Sequence, residues 1–438
     1  MAAEARPQPG WRWAPAWVLA FVVLWPAPAY AEAVLVLGAL VALGLLLLQR
    51  FRGGMQLLSG PAWALTTVLF CAYWLSQAIS AVDAVDQPRA LREVLIDLRY
   101  LPFLWLAASA VAHPRGRRIT FGGLAVIALV WSLDAVVEGV TDTSPLFSML
   151  DAGKHAISGH GMCTAEEMAL ADRVGGVLGP CNLKLGVVLA SLAPLALFEA
   201  ARRWRVVGWL AAAAVVGLAV LMAGTRSAWL TFALALVWSG WRLLGWRRLA
   251  LVFLGGTLAL ALGAKLHAPL AERLTRSAAA LQANGEGLDH ALSGRSQIWG
   301  AAWCMIKQHP VNGVGARGFR EVFPACDPLQ GARPAWGEGV ALHAHQIVLE
   351  ILSETGAIGL LLWLAAAALA WRAWRYALPA ARDAARPALV ALAISVFPLN
   401  THLAAYSTFW GSVLLLLAAL YAGSLLGRSG DPPGGPQS

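Results

Sequence analysis

"HAHQIVLEILSETGAIGLLLWLAAAALAWRAWR", residues 343–375, decides the fold. Two histidines open the stretch, an apolar run follows, and arginines close it. A helix needs about 20 apolar residues to cross a bilayer, and the segment 346–371 supplies them. It reads as a transmembrane helix with polar chemistry at one lip and cationic anchors at the other.

The rest of the chain extends that reading. Of 438 residues, 59% are hydrophobic and only 13% charged, and mean hydropathy is +0.63. A soluble domain carries about a quarter charged residues, so an all-α polytopic membrane protein is expected. The 21 tryptophans cluster near segment ends, as an interfacial aromatic belt does. No removed signal peptide and no internal repeat is read, and "GDPPGGPQS" at 430–438 reads as a disordered tail.

Twelve spans are expected, at 14–30, 32–48, 61–80, 97–113, 119–138, 182–200, 206–222, 227–243, 248–266, 346–371, 387–404 and 408–426. The even-numbered connections are dense in arginine: Arg50 and Arg52, then Arg115, Arg117 and Arg118, then Arg202, Arg203 and Arg205, then Arg242, Arg247 and Arg248, then Arg372, Arg375, Arg382 and Arg386. Cytoplasmic loops carry such an excess. Both termini are therefore expected on the cytoplasmic side of the membrane. The organisation reads as spans one to five (1–138), an outer loop (139–181), spans six to nine (182–266), a large outer loop (267–345), spans ten to twelve (346–427) and the tail (428–438). Eight of the nine histidines fall in or beside outward segments, His113 being the exception. Polar chemistry therefore gathers on the outer face. Within the larger loop, "LAERLTRSAAALQ" at 270–282 reads as a helix lying on the membrane surface.

Cys163 and Cys181 share the first large loop, and Cys304 and Cys326 the second. An oxidising side favours the pairs 163–181 and 304–326. Four cysteines allow other pairings, and free thiols remain an alternative. No cysteine–histidine spacing argues for zinc.

Some arginines stand on the wrong side for topology. Arg226 in "AGTRSAWL" opens span eight, Arg99 in "IDLRYLPF" borders span four, and Arg173 in "DRVGGVLGPCN" precedes span six. Arg295 in "SGRSQIWGAAW" opens an amphipathic helix in which Ile298, Trp299, Ala302, Trp303 and Ile306 recur at helical spacing. Any one of them reads simply as a snorkelling or head-group-binding arginine. Four on one face point instead to a phosphate or diphosphate, which guanidinium grips bidentately. No P-loop or dinucleotide fingerprint is present, and no nucleic-acid partner is read. Asp83 and Asp86 in "SAVDAVDQP" are candidate ligands for a divalent cation, but loop solvation and helix capping are the preferred reading. The glycines of "HPVNGVGARGF", 309–319, read as a turn with close backbone approach.

These motifs resemble the O-antigen ligase family, within the wider group of O-antigen ligases and polymerases. "TRSAWL" is similar to the group's arginine motif at a helix start. "GRSQIW…MIKQHPVNGVGARGF" resembles its Arg-x-x-x-Trp segment followed by His-Pro-x-x-Gly-x-Gly. "HAHQIVLEILSETGAIGLLLWL" resembles its His-Asn-x-x-Leu-Glu…Glu-x-Gly-x-x-Gly segment, with Gln346 where asparagine is usual. "RVGGVLGPCNLKLG" is similar to its Arg-x-x-Gly-x-x-Gly-x-x-Asn segment. The resemblance covers most of 170–370. It implies a GT-C type glycosyltransferase with an outward-facing, metal-independent site and no cofactor. The donor would be a polysaccharide on undecaprenyl diphosphate, and the acceptor a sugar of lipid A–core.

Such a transfer leaves negative charge on the departing diphosphate, so fixed cations are required. Arg226 and Arg295 are the first candidates, with Arg173, Arg99 and Trp299 as substrate-binding residues. His345 aligns with the family's histidine and is read as the base, which cationic surroundings would keep neutral. His343 is assigned a supporting or acceptor-binding role, because on a helix residues two apart face different directions. A polymerase, or a transferase acting on protein, would share the donor and differ in acceptor. A transporter would carry ionisable residues along its spans, whereas the charges here collect at the ends.

Overall fold

The computed structural model describes residues 11–52, 58–169, 173–266, 271, 275, 295–329, 340–399 and 403–427. Among these the chain is helical, without strands. In order the helices are α1 (Ala14–Val23), α2 (Pro28–Arg52), α3 (Gly60–Ser80), α4 (Gln87–Asp97), α5 (Tyr100–Ala112), α6 (Pro114–Thr141), α7 (Pro145–Ser158), α8 (Ala165–Ala169), α9 (Leu185–Met222), α10 (Arg226–Leu266), α11 (Arg295–Gln308), α12 (Phe319–Cys326), α13 (Ile347–Tyr376), α14 (Pro379–Ser395) and α15 (Thr408–Leu426). The expected surface helix at 270–282 and the tail at 428–438 lie outside the described residues.

Eight described helices are long and apolar enough to cross a membrane, against twelve spans read from hydropathy. The difference has local causes. Expected spans six and seven run together as α9, broken at Trp204 and Arg205, where Arg205 takes φ 50°. Spans eight and nine run together as α10, broken at Gly245, φ 73°. The chain bends sharply at both. A Cβ on Gly240 would sit 3.2 Å from the Leu249 side chain, though nine residues of straight helix span roughly 13 Å. Both breaks fall inside arginine-rich connections. Spans one and eleven correspond to α1, of 10 residues, and α14, of 17.

The bundle is organised around α15. Its sequence is apolar on every side, and almost every residue is buried, as for a core helix. Glycine lets neighbours close on it: a Cβ on Gly423 would lie 2.1 Å from the Ala108 carbonyl oxygen of α5. Ser407 caps its start by accepting from the Trp410 amide at 3.2 Å.

The spans also carry buried carboxylates that hydropathy did not bring forward: Asp97, Asp134, Glu350 and Glu354, each at most 6% exposed. Three of them accept from backbone amides of turns at the helix ends. Asp134 accepts from Leu146 N at 2.9 Å and from Ser144 Oγ at 2.7 Å, pinning the start of α7. Glu350 meets Tyr406 N at 3.4 Å. Glu354 accepts from Arg317 N at 2.8 Å. Asp97 is bonded by Gln77 Nε2 at 3.1 Å. These charges hold turns and neighbouring helices in place rather than lining a path.

Candidate active site

The glycine stretch 309–319 docks into a break in α13. Gly356 takes φ 64°, ψ −166°, which interrupts two i→i−4 bonds, those of Ala357 to Ser353 and of Ile358 to Glu354. The loop meets all four freed groups. Val314 N donates to Ser353 O at 2.8 Å and Gly315 N to Glu354 O at 3.0 Å, while Ala357 N donates to Pro310 O at 2.9 Å and Ile358 N to Val311 O at 3.2 Å. Broken helix bonds inside a bundle must find such partners. The approach requires glycine on both sides. A Cβ on Gly313 would lie 2.3 Å from the Glu354 carbonyl carbon, and one on Gly356 2.1 Å from Val311 O. Ser80 Oγ adds a bond to Glu354 O at 2.7 Å.

That clamp seats α11 and α12 on the bundle. Cys304 of α11 and Cys326 of α12 form a disulfide, and Cys163 pairs with Cys181. Both pairings within a loop are therefore present, and Cys71 is a free thiol.

The histidines precede α13 instead of lying on it. The helix starts at Ile347, and Gln346 caps it, accepting from Leu349 N at 2.6 Å and donating to Pro398 O at 2.6 Å. His345 takes φ 55°. This left-handed turn brings the two imidazoles together, ring centroids 3.8 Å apart at 45°. The helical spacing that would have separated them does not apply. Trp299 Nε1 donates to Ala344 O, between the histidines, at 3.1 Å. The indole thereby positions the His343–His345 turn.

Arg295 is the first residue of α11, one turn before Trp299, and Arg226 is the first residue of α10. Arg173 stands in the bend before the Gly176–Leu178 turn, whose Gly175 and Gly176 amides bond Glu138 at 3.2 and 2.5 Å. Burial lowers the pKa of Arg295 from its ordinary value, and the charges of Arg226 and Arg173 lower it further. Three arginines more than 50 residues apart in sequence thus share one electrostatic neighbourhood. Two helix N-termini contribute to it, and these favour anions.

Arg99 belongs to a different group. It bonds Glu32 of α2 at 2.9 Å and Ile96 O at 2.7 Å, and lies over the Tyr100 ring at 4.6 Å. The carboxylates also separate. Asp86 caps α4 by accepting from Arg89 N at 3.2 Å, and Asp83 accepts from Asn312 Nδ2 at 3.1 Å. Both serve the turn before α4 and its contact with the glycine loop.

Sequence reasoning missed Glu354, Glu138 and the helix break. The signal for Glu354 was on the page: a carboxylate two residues before a glycine inside an apolar span, where an ionisable group has a specific task.

The fold and this cluster define a multi-pass α-helical membrane protein that gathers three arginines beside a paired-histidine turn. Residues 209–364 match the family model described as O-antigen ligase, which supports membership of that family. The match spans Arg226, Arg295, Trp299, His343, His345 and Gly356. No curated protein matches the chain. The family supports a ligase- or polymerase-like function on lipid-linked glycans, in a multi-pass bacterial membrane protein.

Proposed function

We propose that this protein is an O-antigen ligase. It transfers a polysaccharide from undecaprenyl diphosphate to a sugar hydroxyl of lipid A–core, on the periplasmic face of the inner membrane. The observation that carries this reading is the convergence of Arg173, Arg226 and Arg295 on one neighbourhood, with α11 tying it to the histidine turn through Trp299. The topology proposed with it is of GT-C type, about twelve crossings with both termini cytoplasmic.

The chemistry follows from the parts. His345 accepts the proton of the acceptor hydroxyl, and that oxygen attacks the anomeric carbon from the side opposite the diphosphate. The C1–O bond breaks and its electron pair stays on the leaving diphosphate. The guanidiniums of Arg226 and Arg295 stabilise this charge without metal, and Arg173 helps to seat the donor. Preorganised cations of this kind supply the largest part of many rate enhancements. One displacement with one base inverts the anomeric centre. His343, in ring contact with His345, supports its orientation.

The test is transfer in vitro, with purified protein, undecaprenyl-diphosphate glycan, lipid A–core and EDTA. Core-linked glycan from wild type and none from His345→Ala is the expected result. Growth of glycan on the carrier with bare core would assign a polymerase instead. Loss of wild-type product until magnesium is restored would overturn the metal-independent step.

A further inference from the structure

The ligase reading gives no role to Lys184. Lys184 occupies the position just before α9, and its ammonium lies over the Phe409 ring, 4.9 Å from the centroid. Among the described residues no carboxylate or carbonyl pairs with it. Burial lowers its pKa, which is the mark of an ammonium short of compensation. The other edge of Phe409 meets Trp25 at 5.7 Å. Trp25 is 2% exposed, and its indole N–H has no acceptor. Ser191, two turns along the same face of α9, is fully buried with an unpartnered hydroxyl. Buried polar groups in native proteins are normally satisfied. Donors without acceptors around one ring want an oxygen-rich, anionic occupant.

The place restricts that occupant. α1 ends at Val23 just before Trp25, α9 begins after Lys184, and α15 opens on Thr408 and Phe409. Each is a boundary between turn and apolar helix, at the same end of the bundle as the arginines. A Cβ on Gly186 would touch the Ala223 and Ala228 side chains at 3.2 and 3.3 Å, so the first turn of α9 abuts the start of α10, which carries Arg226. On the other side Tyr100 Oη donates to Thr408 O at 3.1 Å, and Arg99 covers Tyr100. The notch therefore lies between the arginine cluster and Arg99, with apolar helix beneath it. A head group at this level carries its tail along those helices.

We propose that Lys184 and Trp25, packed on the Phe409 ring, with Ser191 two turns further along α9, form a second anion subsite that takes a lipid-borne phosphate. That this phosphate belongs to the isoprenoid donor rests on the ligase reading; a bulk phospholipid is the other source.

The test uses full-length protein in detergent, radiolabelled undecaprenyl diphosphate, and phosphatidylglycerol retention by native mass spectrometry. Lys184→Met is expected to weaken undecaprenyl diphosphate binding about tenfold, because a charge-assisted bond is lost, and Lys184→Arg to restore most of it. Trp25→Phe removes the indole donor while keeping an aromatic ring, though a smaller one, and serves if Lys184→Met does not fold; it should weaken binding by a smaller factor. Loss of phosphatidylglycerol in Lys184→Met with undecaprenyl diphosphate binding intact would assign the subsite to bulk lipid. Unchanged retention of both ligands in the folded variants overturns the proposal. If wild type binds no undecaprenyl diphosphate, or Arg226→Ala leaves that binding unaltered, the ligase reading fails while the phosphatidylglycerol measurement still decides Lys184.

Discussion

The indole N–H of Trp299 donates to the carbonyl of Ala344 at 3.1 Å, so one helix carries both the Arg295 guanidinium and the strut that orients the histidine turn. Arg295 and Trp299 are four residues apart on α11 and share a face. The placing of the Arg295 guanidinium relative to the His343–His345 turn is thereby set through a single helix.

Trp299→Phe keeps an aromatic ring, though a smaller one, and removes the bond. A net hydrogen bond contributes about 0.5–1.5 kcal/mol, so the transfer rate should fall by up to about tenfold with little change in thermal midpoint. Steady-state transfer beside a melting curve checks this. An unchanged rate would mean that the turn holds its shape without the strut.

Gly356→Ala should destabilise the whole clamp. The backbone at φ 64°, ψ −166° is open essentially only to glycine and costs another residue about 1–3 kcal/mol, and the new Cβ would stand 2.1 Å from Val311 O. Gly153→Ala on α7 has open space around it and gains helix propensity. The first variant should melt several degrees lower in detergent and the second no lower than wild type. Equal midpoints would remove the clamp from the stability of the protein.

Cys304–Cys326 closes a sequence separation of 22 residues and staples α11 to α12. Removing a disulfide of this span typically costs about 2–4 kcal/mol. Cys304→Ser with Cys326→Ser should lower the thermal midpoint and reduce transfer, since α11 carries Arg295. Dithiothreitol, which also reduces Cys163–Cys181, should lower wild type at least as far as the double variant, and any further fall it causes in the double variant reports the Cys163–Cys181 bond.

Arg295→Lys should acquire a pH dependence that wild type lacks. Burial and the charges of Arg226 and Arg173 depress the pKa at this position, and an unperturbed lysine titrates near about 10.4. The same environment lowers the introduced ammonium from there. Its charge is then lost as pH rises, so the variant should lose activity on the alkaline side before wild type and regain it on acidification. Parallel alkaline limbs for the two proteins would place no leaving-group cation at this position.

Much of the site was legible as residue types. Arginine before a helix, paired histidines before an apolar run, and glycines spaced for close approach are local features with local physical reasons. The disulfide partners followed from loop membership. The span read at 346–371 is present as Ile347–Tyr376, but its break at Gly356 was hidden, because a single glycine whose φ is positive looks the same in sequence as one in a helix. The relation of His343 to His345 was likewise hidden. It depends on where α13 starts and on a left-handed turn at His345, which a non-glycine residue adopts only when its surroundings hold it there.

The sequence by itself determined that this is an α-helical membrane protein with its unexplained cations and histidines at span ends, because hydropathy and charge bias act residue by residue and need no partner. Only the tertiary structure decided which of those cations share a site. It set Arg295 with Arg226 and Arg173, turned Arg99 to Glu32, and gave Asp83 and Asp86 to the turn before α4. Charges attract, repel and desolvate through space, at distances that helix packing fixes and residue spacing does not encode.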